Sequence, residues 1–217
     1  MKSEQINYLG TLNSMLTMKD AANLISASCS YHAIDVLNWP SSFGYKPDTE
    51  FAIARSDDSL FIHFRVEEDN IKALYVNDQD PVWQDSCVEF FCRLPEQSFY
   101  YNFEINCIGT CLATARDGRD ENVRPFTSDQ LKQIERHASL GNKPLGEKNE
   151  KTAWSVCVKI PFALLGLNGD NLPEKLHANF YKCGDETAIP HYVSWNPIDT
   201  ATPNFHCPEF FGEIRFK

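Results

Sequence analysis

The sequence predicts an all-β fold, a two-sheet antiparallel β-sandwich of jelly-roll or immunoglobulin-like type with one or two short helices. Three observations carry this. Apolar and polar residues alternate with a period of two in most segments, helical periodicity is confined to two short runs, and turn residues separate the alternating stretches. At 217 residues and 42% hydrophobic content the chain can bury one sizeable core, and sandwiches of this length fold as one unit, so residues 1–217 are expected to form a single domain. No internal repeat, low-complexity run or Ser/Gly linker marks a boundary.

In chain order, the first periodic segment is a short helix expected over 18–26. A strand over 50–56 turns through Ser56, Asp57 and Asp58 into a second over 59–67, where Leu60, Ile62, Phe64 and Val66 share a buried face and Phe61, His63 and Arg65 the other. Strands follow at 86–94, 98–107 and 109–116. A polar stretch at 117–127 reads as a long surface loop, and Thr127 caps a second helical run through Arg136. A strand at 135–140 leads to another polar loop at 141–151. The last strands lie at 154–160, closed by Pro161, then at 176–183, 191–195 and 212–217.

Charge and cysteine usage narrow the function. Thirty acidic against twenty basic residues give a net charge of -10 with no basic cluster, so nucleic acid and anionic membranes are poor partners and a neutral ligand is favoured. The N-terminal segment is too polar for the apolar core of a secretory signal and no stretch is long enough to span a membrane. A native start at Met1 implies the cytoplasm, and a removed signal would imply secretion or the periplasm. Oligomeric state is not legible. The eight cysteines lack any CxxC pair and lie mostly in apolar segments, which reads as buried reduced thiols.

The segment with most chemistry is Val82 to Phe91. Trp83 stands in a polar turn ahead of a strong strand, and Glu89 falls on the strand face opposite Val88, Phe90 and Cys92. On the next strand Tyr100, Asn102, Glu104 and Asn106 make one hydrogen-bonding face. Such a row is either solvated or lines a polar groove, since burial without partners costs about 1–3 kcal/mol per group. A second aromatic and amide cluster surrounds Trp195, which is bracketed by prolines, with Asn179 and Asn196 nearby. Amides and carboxylates beside a flat ring suit a sugar: hydroxyls need polar planar partners while the C–H face of the pyranose packs on an aromatic surface.

The run Trp83-Gln84-Asp85-Ser86-Cys87-Val88-Glu89-Phe90-Phe91 resembles the W-x-D-x-x-V-E-x-F signature of family 9 carbohydrate-binding modules and their DOMON-like relatives. The strand from Leu60 to Glu68 and the closing segment Phe211 to Phe216 resemble other strands of that family. The resemblance implies a non-catalytic β-sandwich that binds a mono- or oligosaccharide, possible accessory work in polysaccharide breakdown included. It implies a clamp of two rings at Trp83 and Trp195, with Glu89 bonding sugar hydroxyls and Asn196 or Asn179 filling an asparagine role. The family's arginine has no assigned position here. No cofactor is expected, with structural calcium left open by the resemblance although no Asp-x-Asp-x-Asp loop occurs. Two alternatives stand beside this. One is a glycoside hydrolase using Glu89 and Glu104 as paired carboxylates on adjacent strands; the other is a haem or metal protein using His63, His191 or His206, for which no CxxCH or His-rich motif speaks.

Overall fold

The computed structural model describes residues 1–13 and 16–216. Alternation becomes two packed sheets. We label the main strands β1 (Asp48–Arg55), β2 (Ser59–Glu68), β3 (Cys87–Arg93), β4 (Tyr100–Asn106), β5 (Cys111–Arg116), β6 (Thr152–Pro161), β7 (Lys175–Cys183), β8 (Tyr192–Ser194) and β9 (Gly212–Arg215), with helix α1 at Met18–Ser28 and α2 at Ser128–Leu131. Among the described residues, the front sheet runs Ser3–Gln5, β9, β7, β3, β4, β5 and Arg124–Pro125, with β8 beside β7 and Val36–Leu37 beside β8. The back sheet runs Glu135–Ala138, β6, β2, β1 and Asn7–Tyr8, with His32–Ala33 also on β1. The main pairings are antiparallel; the two short N-terminal strands join β9 and β1 in parallel.

The shared core is built from the alternate residues the period-two pattern exposes. Phe51, Ile62, Phe64 and Val66 from the back sheet meet Phe90, Phe103, Ile105 and Phe180 from the front. Phe51 and Phe180 stack at 3.5 Å between centroids, bridging the sheets. A buried ion pair sits in this layer. Lys182 of β7, fully buried, uses its three protons on the carboxylate of Glu68 at 3.0 Å, His191 Nε2 at 2.8 Å and the Cys183 carbonyl at 2.8 Å, so the buried ammonium is paired and hydrogen-bonded. Trp154 Nε1 donates to the other Glu68 oxygen at 2.7 Å.

Three features depart from the sequence reading. The second face of β2 is covered over its first half: Phe61 packs with Ala52, Ala54 and Cys157 beneath Ala21, Ala22 and Ile25 of α1, making a second small core. The helix from Thr127 stops at Leu131 after one turn, with its capping box intact, because the chain is drawn into the strand Glu135–Ala138 along β6. The polar stretch 141–151 contains a strand, Leu145–Lys148, paired with Ile71–Ala73 through an irregular register. Without alternation of its own, that strand exists only through its partner. Of the final strand, Gly212–Arg215 forms, and Lys217 lies outside the described residues. The eight cysteines carry no disulfide, and seven are buried. No described helix is long and apolar enough to cross a membrane.

Candidate functional site

On the outer face of the front sheet, a cavity of about 260 Å³ opens over β3, β4 and β7. Trp83, Glu89 and Glu104 all line it, so three of the residues singled out by sequence converge. Trp83 sits in a 3₁₀ turn at Val82–Gln84. The aspartate two residues on explains why this turn holds its shape: buried Asp85 accepts from the Leu74 amide at 3.0 Å, the Tyr75 amide at 3.1 Å and Asn106 Nδ2 at 3.0 Å. The Trp83 carbonyl accepts from the Asp185 amide at 3.1 Å. The tryptophan is therefore fixed through its backbone while its ring remains half-buried at the cavity.

Glu89 and Glu104 are direct cross-strand partners on β3 and β4. Both are buried. Cys183 Sγ donates to Glu89 Oε1 at 3.1 Å, and Asn102 Nδ2 donates to Glu104 Oε1 at 2.8 Å, whereas Glu104 Oε2 has no protein partner. Burial, and next the neighbouring Glu104, push the Glu89 carboxyl well above the usual carboxylate range. Burial also raises Glu104, to about 7, against the pull of the Arg116 guanidinium. At the rim, Asp185 is raised to about 6 by burial although Tyr192 hydrogen-bonds it. Burial and then the two arginines hold His206 near 3, hence neutral, beside the Tyr100 hydroxyl at 2.9 Å.

Arg116, Arg119, Asp185, Tyr192 and the segment 203–206 belong to the site and were not identified from sequence as its parts. A signal for the arginine existed. Thr114 and Arg116 continue on β5 the polar parity of β4, facing Asn102 and Tyr100 in register. Arg116 Nε donates to Thr114 Oγ1 at 2.8 Å and Thr114 to Asn102 Oδ1, so a chain of side chains runs from the arginine to Glu104. The 203–206 segment is seated by Phe205, which stacks on Tyr181 at 4.2 Å, and by the Tyr181 hydroxyl on the Phe205 carbonyl at 3.1 Å.

Three sequence expectations are corrected. Trp195 is a core residue, 1% exposed, packed edge-on against Phe51 at 5.8 Å and Phe180 at 5.7 Å, and it does not line the cavity. A Cβ at Gly212 would lie 2.5 Å from its indole, which is why that position has no side chain. Asn179 and Asn196 are buried fasteners of the backbone. Asn179 Oδ1 accepts from the Phe180 and Asn196 amides and its Nδ2 donates to the Asn196 carbonyl; the Asn196 side chain links the Lys2 amide to the Phe210 carbonyl. Asn102 is buried behind Glu104 and supports it without lining the cavity. The three histidines of the haem alternative occupy separate environments: His63 bonds Tyr31 beside α1, His191 bonds Lys182, and only His206 reaches the cavity.

A larger groove of about 710 Å³ crosses the back sheet near Glu50, Arg65, Glu67 and Ser155. Three of its charges are already paired, Arg65 with Glu50 at 3.4 Å and Glu67 with Lys151 at 2.6 Å, and its tryptophan, Trp154, is buried and committed to Glu68. The smaller cavity, with a half-exposed ring beside an unpartnered carboxylate oxygen, is the better candidate.

A β-sandwich with an aromatic and carboxylate cavity on one sheet has the make-up of a carbohydrate-binding module. The comparison with known families agrees: the model of carbohydrate-binding family 9 matches residues 19–216, and the chain belongs to that family. It is a non-catalytic binding module, which sets aside the hydrolase reading of Glu89 and Glu104. Among solved structures, a protein of Bacteroides uniformis ATCC 8492 described as a "putative carbohydrate-binding protein" is 31% identical with a TM-score of 0.92, over 100% of this chain and 99% of that one. Two structures of a family 9 module from Caldicellulosiruptor kristjanssonii share the fold at lower identity. The one in complex with glucose has a TM-score of 0.63 at 13% identity, covering 100% of this chain and 96% of that one. The one in complex with cellotriose has 0.58 at 14%, covering 100% and 94%. No curated protein matches the chain.

Proposed function

We propose that the front-sheet cavity binds a terminal pyranose unit of a neutral mono- or oligosaccharide, with Trp83 as the stacking platform. The observation that carries this reading is the half-buried Trp83 ring, locked through its own backbone, beside two buried carboxyls of which one oxygen lacks a partner. A sugar ring offers C–H bonds to the indole face and hydroxyls to the carboxyls, so both needs are met at once. A volume of about 260 Å³ lies just under the range for drug-sized ligands and suits one ring rather than an extended chain. Arg116 supplies donors, and Tyr192 is a second half-buried aromatic of the lining in place of the expected Trp195. The glucose and cellotriose complexes of the Caldicellulosiruptor module support the ligand class. Binding without catalysis suits an accessory of polysaccharide breakdown.

Intrinsic fluorescence tests the reading, because Trp39, Trp154 and Trp195 are buried and Trp83 alone lines the cavity. Titration with glucose, xylose, galactose and cello-oligosaccharides is expected to give a saturable change with at least one of them, absent from Trp83→Phe protein if the indole reports the contact. A flat response to the whole panel, or the same change in Trp83→Phe, overturns it.

A further inference from the structure

Beneath the sugar cavity lies a cluster of two thiols and a carboxyl, of which sugar recognition calls on the carboxyl alone. Cys87 on β3 and Cys183 on β7 are direct cross-strand partners, and Glu89 follows two residues along the same face of β3. One ligand atom from each, the two Sγ and a Glu89 oxygen, all lie within 4.8 Å of one another, and all three side chains are buried. Cys183 and Glu89 line the cavity, so the cluster is reached from solvent through it. A second observation points to a ligand at the same spot. Glu104, cross-strand from Glu89 and 4% exposed, leaves its Oε2 with no partner. Two adjacent buried carboxyls and two thiols, with Arg116 and Arg119 as the cations of the cavity lining, favour either protons or a bound cation.

We propose that Cys87, Cys183 and Glu89 form a binding site for a thiophilic divalent cation, zinc, at the floor of the cavity. The donor set decides the metal. Two sulfurs and one oxygen suit zinc, which takes four tetrahedral ligands, whereas calcium requires six to eight oxygens. Zinc bonds of about 2.3 Å to sulfur and about 2.1 Å to oxygen place neighbouring donor atoms about 3.6–3.8 Å apart, a spacing the cluster reaches with side-chain adjustment alone. The fourth ligand would be Glu104 Oε2 or water.

The proton balance follows from the ligand chemistry. A free thiol keeps its proton at neutral pH, and zinc binds the thiolate. Entry of one zinc ion therefore converts two thiols to thiolates, releases two protons to solvent, and releases a third when Glu89 is protonated. No electron moves. Affinity rises with pH accordingly. The site goes beyond sugar binding but shares Glu89, and Glu104 where that is the fourth ligand, with the sugar cavity, so bound metal withdraws carboxylate oxygens from sugar hydroxyls.

Cobalt(II) titration of the reduced, metal-free full chain tests this with the metal alone. The expected result is one equivalent bound, with a thiolate-to-cobalt charge-transfer band in the near ultraviolet and tetrahedral visible bands, both displaced by zinc. Cys87→Ser and Cys183→Ser should each weaken binding by about a hundredfold or more, since even groups behind the ligands cost about 10–100-fold. Cys157→Ser, buried beneath α1, should leave the titration unchanged. Absence of a charge-transfer band in wild-type protein overturns the proposal whether or not the variants fold. So does an undiminished band in a Cys87→Ser or Cys183→Ser protein.

Discussion

Two tryptophans, Trp83 and Trp195, stand in similar sequence surroundings, polar turns with prolines close by, and the fold treats them in opposite ways. Trp83 enters a turn whose backbone is held by Asp85 and Asp185, so its ring is left at the cavity. Trp195 follows β8 directly, its amide bonded to the Phe180 carbonyl at 2.8 Å, and its ring drops between the sheets onto Phe51 and against Gly212. What separates them is which side of the front sheet the backbone presents. An aromatic in a polar, proline-rich segment is not thereby exposed; the hydrogen bonds of its own backbone decide.

Substitutions can break or sharpen that contrast, beginning with the largest expected effect. Trp195→Ala removes a fully packed indole and should cost about 3–5 kcal/mol, a fall of about 6–20 °C in the thermal midpoint. A midpoint within a degree or two of wild type would return Trp195 to the surface. Asn179→Ala should follow, at about 1–3 kcal/mol, because it strips partners from the Phe180 and Asn196 amides and the Asn196 carbonyl. Sugar affinity of the folded variant should be unchanged. Lost affinity at wild-type stability would make Asn179 a ligand contact instead.

A further effect is read as a pH trend. Glu104 is raised from 4.5 to about 7, so its proton favours the folded state at low pH, and that contribution is lost as pH rises through the window between the two values. Glu104→Gln cannot ionise. Its stability relative to wild type should therefore increase between about pH 5 and about pH 8, measured by urea unfolding at each pH. A constant difference would mean that Glu104 ionises as freely in the folded protein as in the unfolded chain.

The strands were legible because one period-two pattern feeds one core, as β2 and β6 show in full-length register. Helix α1 was legible as a helix but not as the lid that buries Phe61, since alternation cannot tell which of two faces acquires a second cover. At the site, Trp83, Glu89 and Glu104 were legible through a turn and two strand parities. Arg116 shares the parity of Glu104 across β5, a relation that needs the hairpin register before it shows. Asp185, Tyr192 and His206 come from segments brought over the sheet by tertiary contacts such as Phe205 on Tyr181, which no local spacing encodes. Asn179 and Asn196 carried the right chemistry for a sugar and spend it on the backbone.

On the proposed function, Trp83 is expected to hold the ligand and to be dispensable to the fold. Isothermal titration of wild-type and Trp83→Ala protein with the sugar that gives the strongest fluorescence change, alongside their thermal midpoints, tests it most directly. The account predicts a loss of about 2 kcal/mol or more in binding, at least about thirtyfold, with the midpoint nearly unchanged. Wild-type affinity in the Trp83→Ala protein, or its unfolding, would contradict it.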